Sequence, residues 1–282
     1  MPPAQQRRAL GFAACALASA LWGCGFFFGE IALSEMNFAH LVLYRFLFAM
    51  VPLSPLLITH PPRLNRREWG VLLVASFLGI PLQFYGLSLT NVSHASLMVG
   101  TMPVILAVGA ALFAHERMDR TGWIAMAGST AGAALIALGG HHRGVAGGSS
   151  LAGDLVVIAS LIIALFWILL NKQLMERHSP IVITAYGVGL GTVMLMIWVP
   201  LQYGLPPVAQ ISAKVWLALA ASGLLCTATT TLLWNWGLTQ VPASQAGVLL
   251  NMEPLLGSLL GVFVLGEHLG PDAWAGGILI LS

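Results

Sequence analysis

Two ionisable side chains stand inside apolar sequence. Glu253 ends a run of 38 residues after Lys214 that carries no formal charge, and Arg45 lies within the apolar stretch 38–59. A charged group deep in a lipid-spanning helix costs at least ~2.5–3.5 kcal/mol on insertion scales, so it is paired, protonated or turned towards water. A Glu253–Arg45 pair would lower both costs, and Arg45 reads as the structural half of such an ion pair. The carboxylate has two further chemistries open to it. It could hold a substrate ammonium, or it could carry protons.

Pro103 and Pro254 also fall inside apolar runs. A proline in a helix removes one hydrogen bond and frees the carbonyl four residues earlier, here at Val99 and Leu250. Both prolines are candidate hinges, and the freed carbonyls could meet a substrate. Trp22, Trp167, Tyr85, Trp234, Met98 and Met102 could line an apolar cavity for a ring-bearing substrate. Each could equally be packing, and Tyr85 and Trp234 could be anchors at the membrane interface. Gln83 and Asn251 are polar groups at cavity depth, and Asn235 is a third amide in apolar surroundings; such groups orient substrate or join helices.

Other chemistries find no residues. His115-Glu116 begins like a zinc-protease motif, but Asp119 replaces the second His. His141 and His142 have no third ligand near them, so no metal site is expected. Cys15, Cys24 and Cys226 lack metal-ligand spacing and read as reduced packing residues. There is no Gly-rich phosphate loop for an ATP-driven pump, and one buried Arg is too few for a phosphorylated cargo. Neither an enzyme nor a cofactor is expected.

The elements that must position these residues follow from composition. Of 282 residues 58% are hydrophobic and only 8% are charged, against roughly 25% charged in a soluble domain. So few charges cannot build a polar shell, which excludes a soluble enzyme, a disordered chain and a coiled coil. A net charge of +2 gives no sign of nucleic-acid binding. Lipid is the solvent. Residues 69–115, 178–213 and 215–252 carry no formal charge, and each run is long enough for two spans of about 20 residues. Ten spans are expected, at 9–30, 38–59, 68–89, 92–113, 121–140, 151–173, 180–203, 214–237, 243–264 and 272 onward. The last has 11 residues and reads as truncated. Residues 7–20 resemble a signal peptide, but the apolar run continues to Gly29, which argues against cleavage. With the N-terminus inside, nine Lys and Arg lie on the inner side and two on the outer, which sets the orientation.

Sliding the sequence by 151 places lays its halves on one another. Gly86 falls on Gly237, Ser93 on Ser244, Ala95 on Ala246, Pro103 on Pro254, Glu116 on Glu267 and Trp123 on Trp274. Trp22 and Trp167 sit alike in spans one and six. Residues 1–140 form a first five-helix repeat, 141–150 a Gly-rich linker and 151–282 a second repeat. An odd number of spans turns the second repeat upside down. The fold class is therefore an all-α integral membrane protein with ten transmembrane helices in two inverted five-helix repeats. Secondary transporters are built this way, with substrate at the midplane between the halves. Gly25/Gly29, Gly128/Gly132, Gly187/Gly191 and Gly257/Gly261 have the spacing that lets helices approach closely, and one such face could serve a dimer.

The ordered set Ala20-Leu21-Trp22-Gly23, Tyr44-Arg45-Phe46, Tyr85-Gly86-Leu87, Met102-Pro103, Glu116-Arg117 and Gly122-Trp123, repeated as Trp236-Gly237-Leu238, Glu253-Pro254, Gly266-Glu267 and Ala273-Trp274, resembles the drug/metabolite transporter superfamily in its EamA-type, ten-span branch. The resemblance implies export of small metabolites, and one similar branch exports aromatic amino acids. The expected function is secondary export of neutral or zwitterionic metabolites, amino acids above all, by alternating access. The alternative is a membrane channel, or an exporter of other amphipathic compounds or drugs. The expected partners are a small-molecule substrate and the bilayer, without nucleic acid, for a monomer or homodimer. The expected location is a bacterial inner membrane with both termini cytoplasmic.

Overall fold

Short polar caps separate long apolar helices in the computed structural model, which describes residues 4–77, 79–89, 99–113, 120–139, 151–205, 208–209 and 211–265, with 271, 275, 278 and 279. The first helices are α1 (Ala4–Leu33), α2 (Phe38–Thr59), α3 (Arg66–Phe77), α4 (Gly79–Ser88), α5 (Met102–Phe113) and α6 (Arg120–Gly139). Then come α7 (Leu151–Met175), α8 (Pro180–Tyr203) and α9 (Ala213–Gly223). A π-helical turn over Leu224–Thr229 runs on into α10 (Thr230–Leu238). Two short pieces follow, α11 (Ala243–Leu249) and α12 (Met252–Leu265). Among the described residues there is no strand.

The caps explain the starts. Asn37 accepts from the N–H of His40 at 2.9 Å, Ser212 accepts from Val215 at 3.3 Å, and Asn65 and Glu68 cap each other reciprocally at 2.9 Å, which satisfies donors that the first turn leaves unpaired. Ser179 with Pro180 opens α8 in the same manner. Gly204, at φ +77, closes α8 in a backbone region that other residues avoid.

Five helical segments are long and apolar enough to cross a membrane: Gln5–Leu33, Phe38–Thr59, Leu155–Met175, Pro180–Tyr203 and Ala213–Leu238. They coincide with expected spans one, two, six, seven and eight. Large apolar side chains face outwards, with Ile58 84% and Phe263 73% exposed. Such a surface suits lipid and not water.

The expected third span is occupied by α3 and α4, on either side of residue 78. The expected ninth is two helices, because the chain turns at Leu250–Asn251. That turn corrects one expectation. The Leu250 carbonyl is not freed by Pro254, because it accepts the N–H of Glu253 at 3.0 Å. Both prolines lie in the first turn of a restarted helix, Pro103 in α5 after a turn at Gly100–Thr101 and Pro254 in α12. Proline is tolerated there because its missing N–H would have had no partner.

Packing runs mostly between the first and second parts of the chain. α2 lies against α8, α4 against α7, and α1 against α9, α10 and α12. Glycines set the closest approaches. A Cβ on Gly86 would stand 2.6 Å from the Val157 side chain, one on Gly237 would run into the Cys15 sulfur, and one on Gly23 into the Glu253 carbonyl. All three cysteines are free thiols. Gly187 and Gly191 seat α8 on α3 near Ser76, whereas among the described residues nothing lies within 4 Å of where a Gly128 Cβ would be.

Candidate functional site

One cavity of about 150 Å³ opens among α1, α2, α4, α7, α8, the π turn and α12. Its apolar wall is built on Trp22 of α1 and Trp167 of α7, whose rings meet edge to face with centroids 6.4 Å apart. Trp234 backs Trp22 at 5.3 Å and is fully buried. An engineered core cavity of roughly this volume admits benzene, so the space takes one ring-sized group.

The polar part is built on Arg45. This side chain is 4% exposed, yet the π turn gives it partners. Arg45 Nε donates to Thr227 Oγ1 at 2.6 Å and Nη2 donates to the Cys226 carbonyl at 2.7 Å. The Phe84 ring lies 5.1 Å from the guanidinium carbon. A π turn shifts backbone bonding by one residue, leaving a carbonyl out of the α-helical ladder, and such bulges recur at functional sites. Thr227 and Thr229 bond back to Ser222 and Leu224, five residues earlier, which holds the wide turn in place.

Glu253 lines the same cavity from the first turn of α12 and is 8% exposed. The expected Arg45–Glu253 salt bridge is not among the ion pairs of the described residues, where Glu68 with Arg177 and Glu68 with His178 are found. The π turn's carbonyl and hydroxyl bind one side of the guanidinium instead.

The cavity brings together Trp22, Gln83, Met102, Trp167 and Glu253 of the expected set, with Arg45. Asn251 is buried beside it but is not in the lining, and neither of its amide atoms has a hydrogen-bond partner among the described residues. Tyr85 is 41% exposed and stacks on Phe38 at 5.0 Å, away from the cavity. Pro103 and Pro254 are buried in their helix starts. Met98 lies outside the described residues. Trp234 is core and not an interface anchor, because it is fully buried with the Trp22 ring of α1 against it.

Several lining residues carry no signal in sequence. Ser76, Asn171, Thr227 and Thr231 are single polar residues in apolar helices, and only folding aims them inwards. Asn171 is 2% exposed, and among the described residues its Oδ1 has no partner; neither has the Ser76 hydroxyl. Asn235, by contrast, is used in packing and donates to Thr184 at 2.9 Å.

The two ends of the bundle differ. At one, Glu35 accepts the Ser212 N–H at 2.7 Å and Phe38 packs on Tyr85 and Tyr203. At the other, Glu68 meets His178 at 3.3 Å, and the Tyr186 hydroxyl donates to the Leu57 carbonyl at 2.7 Å. The cavity lining extends towards this second end, to Ile183 and Thr184 near the start of α8.

Comparison with known proteins agrees with this picture. The profile of the EamA-like transporter family matches residues 9–138 and again residues 151–282. An uncharacterized transporter of Archaeoglobus fulgidus is 25% identical over 279 residues, which is 95% of this chain and 93% of that protein. A protein named "Probable terminal-alkyne amino-acid exporter" in Streptantibioticus cattleyicolor is 28% identical over 66% of this chain and 60% of its own length. A solved crystal structure overlays 98% of this chain and 94% of its own with a TM-score of 0.74 at 18% identity, a likeness of fold.

Proposed function

The chain belongs to the EamA-like transporter family, and on that premise we propose that it is a ten-span secondary transporter that exports small neutral or zwitterionic metabolites by alternating access. The favoured cargo is a free amino acid with an aromatic or large apolar side chain. The carrier is two inverted five-helix repeats in the cell membrane, with both termini cytoplasmic.

One observation carries this reading. Ser76 and Thr227, Ile80 and Thr231, Val99 and Leu250, and Met102 and Glu253 are each 151 residues apart, and all eight line the one cavity. Two related bundles facing each other across a shared axis would give this lining. The packing supports the same exchange. α1 lies on α9 and α10 as α7 lies on α3 and α4, and α2 lies on its counterpart α8. Gly86 seats on Val157 and the Gly153 carbonyl, while Gly237 seats on Cys15 and the Gly11 carbonyl. The end contacts exchange too: Glu35 with Ser212 at one end, Glu68 with His178 at the other. A carrier uses such symmetry by swapping the conformations of its halves.

The cargo follows from the lining. Two tryptophans and Met102 make an apolar wall for one ring-sized group. A lone buried Arg argues against phosphorylated cargo, which calls for several cations. Among the curated relatives, the exporter from Streptantibioticus cattleyicolor bears an amino-acid cargo in its name.

The test is uptake by purified protein in liposomes, screening phenylalanine, tryptophan and leucine with and without a pH gradient. Saturable uptake is expected, and unsaturable conductance would make the protein a channel. Labelling of the loops after Glu116 and after Glu267 should reach opposite membrane faces; one common face would overturn the inverted repeat.

A further inference from the structure

We propose that Arg45 and Glu253 are two poles of a receptor for a zwitterion, Arg45 taking the carboxylate and Glu253 the ammonium of a free amino acid whose side chain lies against Trp22 and Trp167. This rests on the transport reading above and narrows its substrate class.

The polar contacts of Arg45 among the described residues are neutral, the Thr227 hydroxyl and the Cys226 carbonyl. They hold the planar fork in one orientation without balancing its charge. Those bonds use Nε and Nη2, so Nη1 keeps its donors for another acceptor. Gly25 keeps the space beside them open: a Cβ there would stand 3.4 Å from Nη1 and 3.5 Å from Nη2. An Arg fork with donors left over suits a carboxylate, which it binds with directional, charge-assisted hydrogen bonds.

Glu253 has the complementary shortage. Its side chain makes no hydrogen bond or salt bridge among the described residues, though it is buried and in the cavity wall. The two charges attract each other across the cavity but form no salt bridge among the described residues, so each keeps room for a partner at contact distance. A zwitterion supplies both in one molecule. An amine would leave Arg45 unmatched, and a carboxylic acid would leave Glu253 unmatched. A phosphate would add negative charge to a cavity that already holds Glu253. The spare Oδ1 of Asn171 and hydroxyl of Ser76 offer further hydrogen bonds to the same polar groups.

The experiment measures binding of matched ligands to the purified full chain in detergent, followed by Trp fluorescence, and uptake of the same ligands in liposomes. The ligands are phenylalanine, phenylalaninamide, phenethylamine and 3-phenylpropionate. Phenylalanine should bind about ten- to a hundredfold more tightly than each of the other three, the loss of one hydrogen-bonded charge. Glu253→Gln should abolish the preference over 3-phenylpropionate, and Arg45→Gln the preference over phenethylamine. The ligand series on the unaltered protein stands even where Arg45→Gln does not fold. Phenethylamine binding as tightly as phenylalanine would overturn the carboxylate pole and leave the transport reading intact. Equal binding of 3-phenylpropionate would overturn the ammonium pole in the same way. No binding or uptake of any of the four, nor of leucine or tryptophan, would remove the amino-acid reading and this receptor with it.

Discussion

The two walls of the cavity come from opposite halves of the chain and differ in kind. At matched positions the first half presents Ser76, Ile80, Val99 and Met102, and the second presents Thr227, Thr231, Leu250 and Glu253. One register holds Gln83 in the lining against Trp234 in the core. The parts that make the frame are kept in both halves: a glycine at each close approach, a break before each proline, a small polar residue at 76 and at 227. The charge is not duplicated. A symmetric lining would accept a cargo in two equivalent poses, whereas a carboxylate on one side fixes one pose. On the transport reading proposed above, the frame would serve the conformational exchange and the departures from symmetry would serve recognition.

The sharpest break in that comparison is Trp234 against Gln83. Trp234→Ala empties a fully buried site and should cost about 3–5 kcal/mol, read as a lower unfolding temperature in detergent. Gln83→Ala should leave that temperature nearly unchanged and alter transport affinity. Equal stability losses would make Gln83 core as well.

Glu253 against Met102 comes next. If the carboxylate holds either an ammonium or a proton, one at a time, it would exchange the two across the membrane. Glu253→Gln should weaken amino-acid affinity about ten- to a hundredfold and abolish pH-dependent flux. Met102→Leu, which keeps the volume, should change neither by much. Unchanged pH dependence in Glu253→Gln would reject a proton-carrying role.

Gly86 and Gly237 test the shared frame. Each Ala variant drives a methyl into a neighbouring helix, at Val157 and at Cys15 respectively. Each should lose about 1–3 kcal/mol in the same thermal assay, and by similar amounts. A large loss at one glycine and none at the other would show that the two approaches are not equivalent.

How much of this was legible in the sequence depends on the kind of signal. Apolar runs separated by turns gave the all-helical membrane class, and five segments of the structure fit expected spans. Trp22, Trp167, Met102, Gln83 and Glu253 could be nominated because each is an unusual residue at a definite depth in its run. Thr227, Asn171 and Ser76 could not, since isolated small polar residues are common in such helices and nothing local tells which face turns inwards. The π turn was equally hidden. Its Leu224–Thr229 stretch reads as ordinary helix, and the single-residue slip shows only where the Cys226 carbonyl reaches Arg45. Arg45 bonds to that turn where the sequence suggested a salt bridge to Glu253. The proline effect was placed four residues back by the rule for an unbroken helix, and it failed at Pro254 because the helix restarts there.

The smallest effect concerns the end of the bundle away from the cavity's extension. Glu35, in the turn between α1 and α2, is held below the usual carboxylate range by the Ser212 hydroxyl and N–H, with Lys214 adding attraction. A lowered folded-state pKa stabilises the protein above the ordinary carboxylate pKa, and that contribution fades as pH falls through the lowered value. Thermal unfolding in detergent between neutral and acid pH should therefore decline slightly less steeply in Glu35→Gln than in the unaltered chain, the two converging at the acid end. The group is exposed, so salt should shrink the difference. If the proposed alternating access holds, the same variant in liposomes should leave affinity unchanged while raising the rate of exchange, because the contact ties the α1–α2 turn to the start of α9. A variant with slower exchange would mean that the Glu35–Ser212 contact guides the movement and does not restrain it.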